Sequence, residues 1–317
     1  MKAAWIADAN AGDLSIRVGE IDAPAPADDR LLIDVEAVGL TFAEPTWVTN
    51  GATPLADGSR RPLPVVIGHE FAGTVAQVGS ATHGFSVGDR VVGLIDFWRN
   101  GAAAEQASVL PGEVAKLPDR VTSVDASTLP IGALTAWQAF FDHARLATGE
   151  TVLVHGGAGA VGTFAIQIAK AAGARVVATA RGGEAVALCL ALGADVAIDT
   201  ETQRFEDFAG HVDVVFDTVG RDLLERSWRF VKPAARLVTI SGEAEDAPSP
   251  ERAASLGIEA YWFIVRPDAA QLGEIAQWVA DGRIKAQVDL VYALADAAKA
   301  FAEAPGRKKR GKTVLTI

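Results

Sequence analysis

The chain has 317 residues, half of them hydrophobic, enough to bury the cores of two domains of ordinary size. Its formal net charge of −11 excludes a broad nucleic-acid or membrane-binding surface, since either needs an extended basic field. A single cysteine, Cys189, excludes intramolecular disulfides and any multi-cysteine structural zinc site.

The opening run Met1-Lys2-Ala3-Ala4-Trp5-Ile6-Ala7-Asp8 meets an acid too early for a secretory leader. No apolar stretch reaches the roughly 18 residues of a membrane span, so a cytoplasmic location is expected. From Met1 to about Arg120, short β-branched runs such as Leu31–Val35, Gly73–Val78 and Arg90–Gly93 are separated by Gly, Pro and Asp. That spacing predicts an irregular, mostly antiparallel β domain.

After Asp125 the pattern becomes alternating: strands at 151–155, 175–180, 195–198, 213–217 and 236–240, with helices to about 172, at 183–193 and at 221–231. Such alternation predicts an α/β unit with a doubly wound parallel sheet. Cys189, among Val186, Leu190 and Leu192, reads as a small buried hydrophobe. A further strand is expected at Ile258–Ile264, then a helix over Asp268–Asp281 and a β-like tail ending Thr313–Ile317 that returns to the first domain. The sheet unit is then an insertion, with expected boundaries of 1–122 plus 267–317 for the outer domain and 123–266 for the inserted one. The basic cluster Arg307, Lys308, Lys309, Arg310 and Lys312 reads as a solvated turn.

Chemistry concentrates where the strand Thr151–His155 breaks into Gly157-Ala158-Gly159-Ala160-Val161-Gly162 and continues as a helix with Val161, Phe164, Ala165, Ile168 and Ala169 on one apolar face. This is a dinucleotide-binding turn in its proper setting. Gly157 is expected to make the tight turn, Gly159 to let main-chain N–H groups approach a pyrophosphate, and Gly162 to let the helix pack close to the strand. The second strand ends Thr179-Ala180-Arg181-Gly182-Gly183 with no carboxylate before Glu184. An acid there would bind the 2′-hydroxyl of NAD. Arg181 instead suits a 2′-phosphate, with the Thr179 hydroxyl adding a hydrogen bond, so NADP(H) is the expected cofactor.

With these motifs in place, the sequence resembles the medium-chain dehydrogenase/reductase superfamily, in its zinc-independent quinone oxidoreductase branch. The segments that carry the resemblance are Pro64–Val75, Leu129–Trp137, Val154–Gly162, Asp213–Gly220 and Gly311–Leu315. It implies a Rossmann sheet inserted in a mostly β, GroES-like catalytic domain. In the zinc enzymes of the superfamily, metal ligands stand at positions that correspond here to Thr41, His69 and Ile131. Only one of the three can bind zinc, so no catalytic metal is expected.

The resemblance further implies direct hydride transfer from NADPH to a quinone or an α,β-unsaturated carbonyl. Thr41, Glu44 and His69 are the candidate catalytic residues, with Trp47, Phe97 and Trp98 as an apolar lid. His69 is open between a polar wall of the pocket and a satisfied histidine beside the sheet, and Glu44 between a pocket acid and a packing carboxylate. Thr218, Val219, Ser241 and Gly242 are expected along the nicotinamide half, and Lys170 matches a 2′-phosphate ligand of some relatives. The only tyrosines, Tyr261 and Tyr292, lie far toward the C-terminus, which leaves Thr41, His69 or water as the proton source. Segment 258–264 is expected to pair with its symmetry mate in a homodimer. An alcohol or carbonyl oxidoreductase, and an NADPH-binding scaffold or redox sensor with little turnover, are the competing readings.

Overall fold

Period-two burial shapes the first part of the chain: Leu31, Ile33 and Val35 are buried while Asp34 and Glu36 face water. In the computed structural model, which describes residues 1–7, 16–25, 27–49, 63–242, 247–304 and 310–317, this run is one of sixteen strands among the described residues. The first eight are β1 (Lys2–Ile6), β2 (Ile16–Glu20), β3 (Leu31–Leu40), β4 (Val65–Val66), β5 (Glu70–Val78), β6 (Arg90–Leu94), β7 (Gln106–Val109) and β8 (Val114–Lys116). They are followed by β9 (Thr151–His155), β10 (Arg175–Ala180), β11 (Val196–Asp199), β12 (Val212–Asp217), β13 (Val231–Thr239), β14 (Glu259–Trp262), β15 (Val288–Ala293) and β16 (Lys312–Thr316). The helices are α1 (Glu44–Thr49), α2 (Ser123–Ala126), α3 (Leu129–Trp137), α4 (Gly162–Ala171), α5 (Gly183–Ala191), α6 (Glu206–Ala209), α7 (Arg221–Ser227), α8 (Pro250–Leu256), α9 (Ala269–Ala280) and α10 (Ala297–Glu303).

Two sheets, ordered β2-β1-β4 and β15-β16-β3-β5-β6-β8, with β7 also pairing β3, make up the β half. The last strand does return to it: β16 pairs antiparallel with β3, Thr313 opposite Leu40. The remaining sheet, β11-β10-β9-β12-β13-β14, is parallel throughout, the doubly wound order in which the chain reverses direction across the sheet beside β9. That reversal opens a crevice at the carboxyl ends of β9 and β12, where a ligand can enter.

One hydrophobic cluster runs through both halves, from Ala72, Val92 and Leu94 of the β half to Val154, Phe164 and Phe216 of the parallel sheet. Its hinge is α3, every residue of which is buried, against α9 with Leu272, Ile275 and Ala276. Each fully buried Leu or Ile there contributes about 1.5–3 kcal/mol. A helix buried all round has no apolar stripe, so period counting leaves α3 unassigned. It runs on into a π-helix at Gln138–His143, where Ala144 N–H donates to the Ala139 carbonyl at 2.9 Å.

The helix expected at 221–231 ends at Ser227, because Phe230 N–H turns back to the Ser227 carbonyl and β13 already begins at Val231. β13 is correspondingly longer than expected and absorbs Pro233 and a left-handed Ala234 (φ 61°) beside an irregularity in its pairing with β12. β14 is shorter than the expected run 258–264 and lies at the edge of its sheet. Among the described residues no helix is long and apolar enough to cross a membrane. Arg307, Lys308 and Lys309 lie outside the described residues.

Candidate active site

At the end of β9 the turn conformation falls on Gly156 (φ 76°), one residue before the glycine expected to make it. A Cβ at Gly156 would also stand 2.4 Å from Thr218 Oγ1. Gly157 is small for another reason: its Cβ would meet Cys189 Sγ at 2.9 Å and Ala178 at 3.0 Å, so it seats the turn on β10 and α5. At Gly159 the nearest neighbour is the Gly156 carbonyl at 3.3 Å, whereas at Gly162 the same oxygen would be 2.1 Å away. A side chain at Gly159 would therefore crowd the Gly156 carbonyl, and α4 starts hard against the strand at Gly162. Its N-terminal end points into the turn, so Gly157, Ala158, Gly159, Ala160 and Val161 offer a main-chain seat suited to an anion, with the Gly157 and Gly159 N–H groups themselves donated to the Thr179 and Gly156 carbonyls. These residues fit a dinucleotide pyrophosphate.

A buried polar relay holds the seat from beneath. His155, fully buried, lies 3.0 Å from Thr179 Oγ1 through Nδ1 and 2.7 Å from Ser227 Oγ through Nε2. The Ser227 hydroxyl donates to the Leu223 carbonyl, so it accepts from Nε2–H, and Nδ1 accepts from Thr179. Burial drives the imidazole down to about 4, which keeps it neutral as this pattern requires. Thr179, 1% exposed and with its proton committed to His155, thus braces the turn instead of offering its hydroxyl to a phosphate.

Arg181 is exposed and has no ion-pair partner among the described residues, so its guanidinium is available to an anion. Lys170 is elsewhere. It sits about 12 Å along α4 from Gly162, and its Nζ pairs with Asp195 at 2.9 Å just before β11, at the amino ends of the strands. That is the side of the sheet opposite the crevice. The Thr218–Gly220 and Ser241–Gly242 turns come together beside the glycine turn. Asp217, fully buried, accepts from the Val219 and Gly220 N–H groups and from Thr239 Oγ1, and Ser241 N–H donates to Thr239 Oγ1.

On the β half, Thr41 follows β3, Glu44 opens α1 and His69 immediately precedes β5. Glu44 is buried: its Oε1 accepts from Gly68 N–H at 2.7 Å and lies 2.6 Å from His69 Nδ1. His69 Nε2 lies 2.9 Å from the Arg99 carbonyl. A carbonyl only accepts, so Nε2 carries a proton, and Nδ1 and Oε1 share another. Both ring nitrogens are engaged. Phe97 lies 5.3 Å from the imidazole and Trp47 5.4 Å from Phe97, edge to face, while Trp98 is exposed.

A third cluster was not legible beforehand. Lys312 is not in a solvated turn: it is buried in β16, its Nζ ion-paired with Glu70 Oε1 and 2.8 Å from Thr41 Oγ1. Glu70 Oε2 accepts from Ile131 N–H at 3.0 Å, and Thr41 Oγ1 is 3.3 Å from Oε1. Gly39 makes room for this carboxylate, since a Cβ there would stand 2.6 Å from Glu70 Cδ. Complete burial raises the Glu70 carboxyl above its ordinary value, more than the Lys312 charge lowers it. The preceding Gly311 donates its N–H to the Ala158 carbonyl at 3.0 Å, so Lys312 stands between the glycine turn and Thr41.

Positions 41, 69 and 131 therefore carry a hydroxyl, an imidazole with both nitrogens hydrogen-bonded and an alkyl side chain. Among the described residues no group of three His, Cys, Asp or Glu is placed to hold a metal ion. This donor set does not fit a catalytic zinc.

Residues 27–119 match the alcohol dehydrogenase GroES-like domain and residues 192–315 the zinc-binding dehydrogenase domain. The chain is 32% identical over 315 residues to a quinone oxidoreductase of Pseudomonas aeruginosa, covering 92% of each. It is 33% identical over 236 residues to the 2-methylene-furan-3-one reductase of Solanum lycopersicum, covering 72% of this chain and 57% of that one. A mycobacterial structure complexed with NADPH superposes with a TM-score of 0.86 at 30% identity over all of both chains. The chain also matches, at 28% identity over 319 residues, a polyketide synthase subunit of Mycobacterium tuberculosis, of whose length it spans 14%. With a GroES-like half, a parallel nucleotide sheet and full-length likeness to quinone oxidoreductases, the chain belongs to the medium-chain dehydrogenase/reductase superfamily, in its quinone oxidoreductase-like branch.

Proposed function

We propose that this chain reduces quinones or α,β-unsaturated carbonyls with NADPH and without zinc. The observation that supports this reading is that Thr41 is engaged by Lys312 and Glu70, and Ile131 offers Glu70 only its main-chain N–H, next to the glycine turn. With no Lewis acid to polarise an oxygen, the acceptor must already be electron-poor, and catalysis rests on proximity and orientation.

The main chain of Gly157–Gly162 would hold the pyrophosphate, Arg181 the 2′-phosphate, and Thr218, Val219, Ser241 and Gly242 the nicotinamide half. NADPH supplies the hydride. Thr41 then swings its hydroxyl proton away from Glu70 Oε1, 3.3 Å off, to the oxygen of the reduced acceptor and takes another from the Lys312 ammonium, 2.8 Å away; once product has left, water entering the site returns a proton to Lys312 through the Thr41 hydroxyl. Glu70 holds that ammonium in place, and its own carboxyl is locked by Ile131 N–H. His69 and Glu44, with their shared proton, make a rigid polar wall, and Phe97 with Trp47 forms an apolar face for a flat acceptor.

A panel of quinones, enones and alcohols, run with NADPH or NADH and with or without a chelator, tests this. NADPH should be consumed with quinones or enones regardless of chelator. Chelator-sensitive alcohol oxidation, or nucleotide binding without turnover, would refute it.

We also infer a homodimer through segment 258–264. Among the described residues β14 has a neighbour on one side only, β13, and Ile264 beside it is 56% exposed. Light scattering at micromolar concentration should give twice the 33.0 kDa chain mass; a monomer would overturn this.

A further inference from the structure

The last strand touches the nucleotide unit at two points. Gly311 is bridged to Gly159 in the glycine turn, its N–H donating to the Ala158 carbonyl. One residue earlier, Arg310 Nη1 contacts Glu184 Oε2 at 2.5 Å, and Glu184 is the second residue of α5. Residues 310–311 thus reach from the pyrophosphate seat to the start of α5. A dinucleotide lying on the seat places its adenosine ribose over the ends of β9 and β10, between those two contacts.

Arg181 and Glu184 flank that stretch, three residues apart across the β10–α5 turn. Their charges oppose each other in purpose: the guanidinium favours a 2′-phosphate, while the carboxylate repels it and is the kind of group that takes a free ribose 2′-hydroxyl. Arg310 adds to the guanidinium side of this balance. Held against Glu184 in the unliganded protein, it keeps a second guanidinium poised at the same place.

We infer that Arg310 is a second determinant of preference for the 2′-phosphorylated dinucleotide, exchanging Glu184 for the phosphate when the nucleotide binds. This rests on the NADPH reading above and assigns a specificity role to a residue of the catalytic half. Both side chains are exposed, so their mutual ion pair is weak and a dianionic phosphate competes with it readily.

The experiment measures binding of 2′,5′-ADP, 5′-AMP and NADPH to the unliganded protein by calorimetry, with no turnover involved. Arg310→Gln should weaken 2′,5′-ADP and NADPH about tenfold, as loss of one charge-assisted contact does, and leave 5′-AMP unchanged. Glu184→Gln should act with the opposite sign and tighten both, since Arg310 is released to the phosphate. If the wild-type protein binds 2′,5′-ADP no better than 5′-AMP, the NADPH reading itself fails and this proposal with it. If the wild type discriminates but Arg310→Gln keeps its discrimination, or if the two variants weaken binding alike as loss of a merely structural pair would, the proposal is overturned while the NADPH reading stands.

Discussion

Replacing Lys312 by Met removes the cation paired with Glu70 and the donor that faces Thr41. The side chains of the pair are 4% and 0% exposed, so the remaining carboxylate cannot turn to water. Breaking one partner of such a buried pair costs about 3–5 kcal/mol, and the Glu70 carboxyl, already raised, recovers part of this by taking a proton. We expect a loss of about 3 kcal/mol in chemical denaturation. Lys312→Met with Glu70→Gln should recover most of that loss, because the orphaned charge is gone. Activity separates the catalytic from the structural part: the double variant should stay folded yet lose about 10²–10³ in kcat. Its KM for the acceptor should change little. Denaturation curves and quinone-dependent NADPH oxidation, measured on the same preparations, decide it. A Lys312→Met protein as stable as wild type would rule out the buried pair, and a stable double variant with full kcat would rule out the proton relay.

Arg181→Ala should weaken NADPH binding about tenfold and leave NADH nearly unchanged; equal losses by fluorescence titration would remove Arg181 from the phosphate site. Gly162→Ala places a Cβ 2.1 Å from the Gly156 carbonyl, so the turn must open, and calorimetry should find dinucleotide binding abolished with the fold retained by circular dichroism. The His155 pKa falls from 6.5 to about 4 on folding, so the unfolded chain binds more protons between these values, and stability is full above about 6.5 and declines as pH drops toward 4. His155 alone accounts for about 3 kcal/mol across that window. His155→Gln should flatten the pH dependence of unfolding there, and an unaltered slope would contradict the buried neutral assignment. His143, also lowered by burial, acts with the same sign and is left intact in that variant.

The glycine turn was legible because a phosphate seat is made of contiguous main chain, and contiguity is what a sequence displays. The position of Arg181, exposed directly after β10, was legible for the same reason, standing at a fixed distance from the turn. Lys312 was not. In the sequence it belongs to a run of bases that reads as solvated, and only the pairing of β16 with β3 turns it inward onto Glu70. Spacing likewise placed Lys170 on the glycine-loop helix but not at which end of the sheet it emerges. Thr179 shows a third kind of gap: its position at the end of β10 was right, but the buried imidazole that claims its proton lies on the neighbouring strand. Positive φ at Gly156 in place of Gly157 is a difference of one residue in a stretch of glycines, which composition cannot resolve.

Under the proposed function, a protein-built hydrogen-bonding cluster serves hydride transfer to an electron-poor acceptor in place of a metal. Single-turnover mixing of chelator-treated protein with NADPH and a quinone tests it most directly, with metal content measured on the same sample. Metal-free protein should show rapid loss of the reduced-nicotinamide signal and no gain on adding zinc. A metal-free protein that binds NADPH but transfers no hydride until zinc is restored would contradict it.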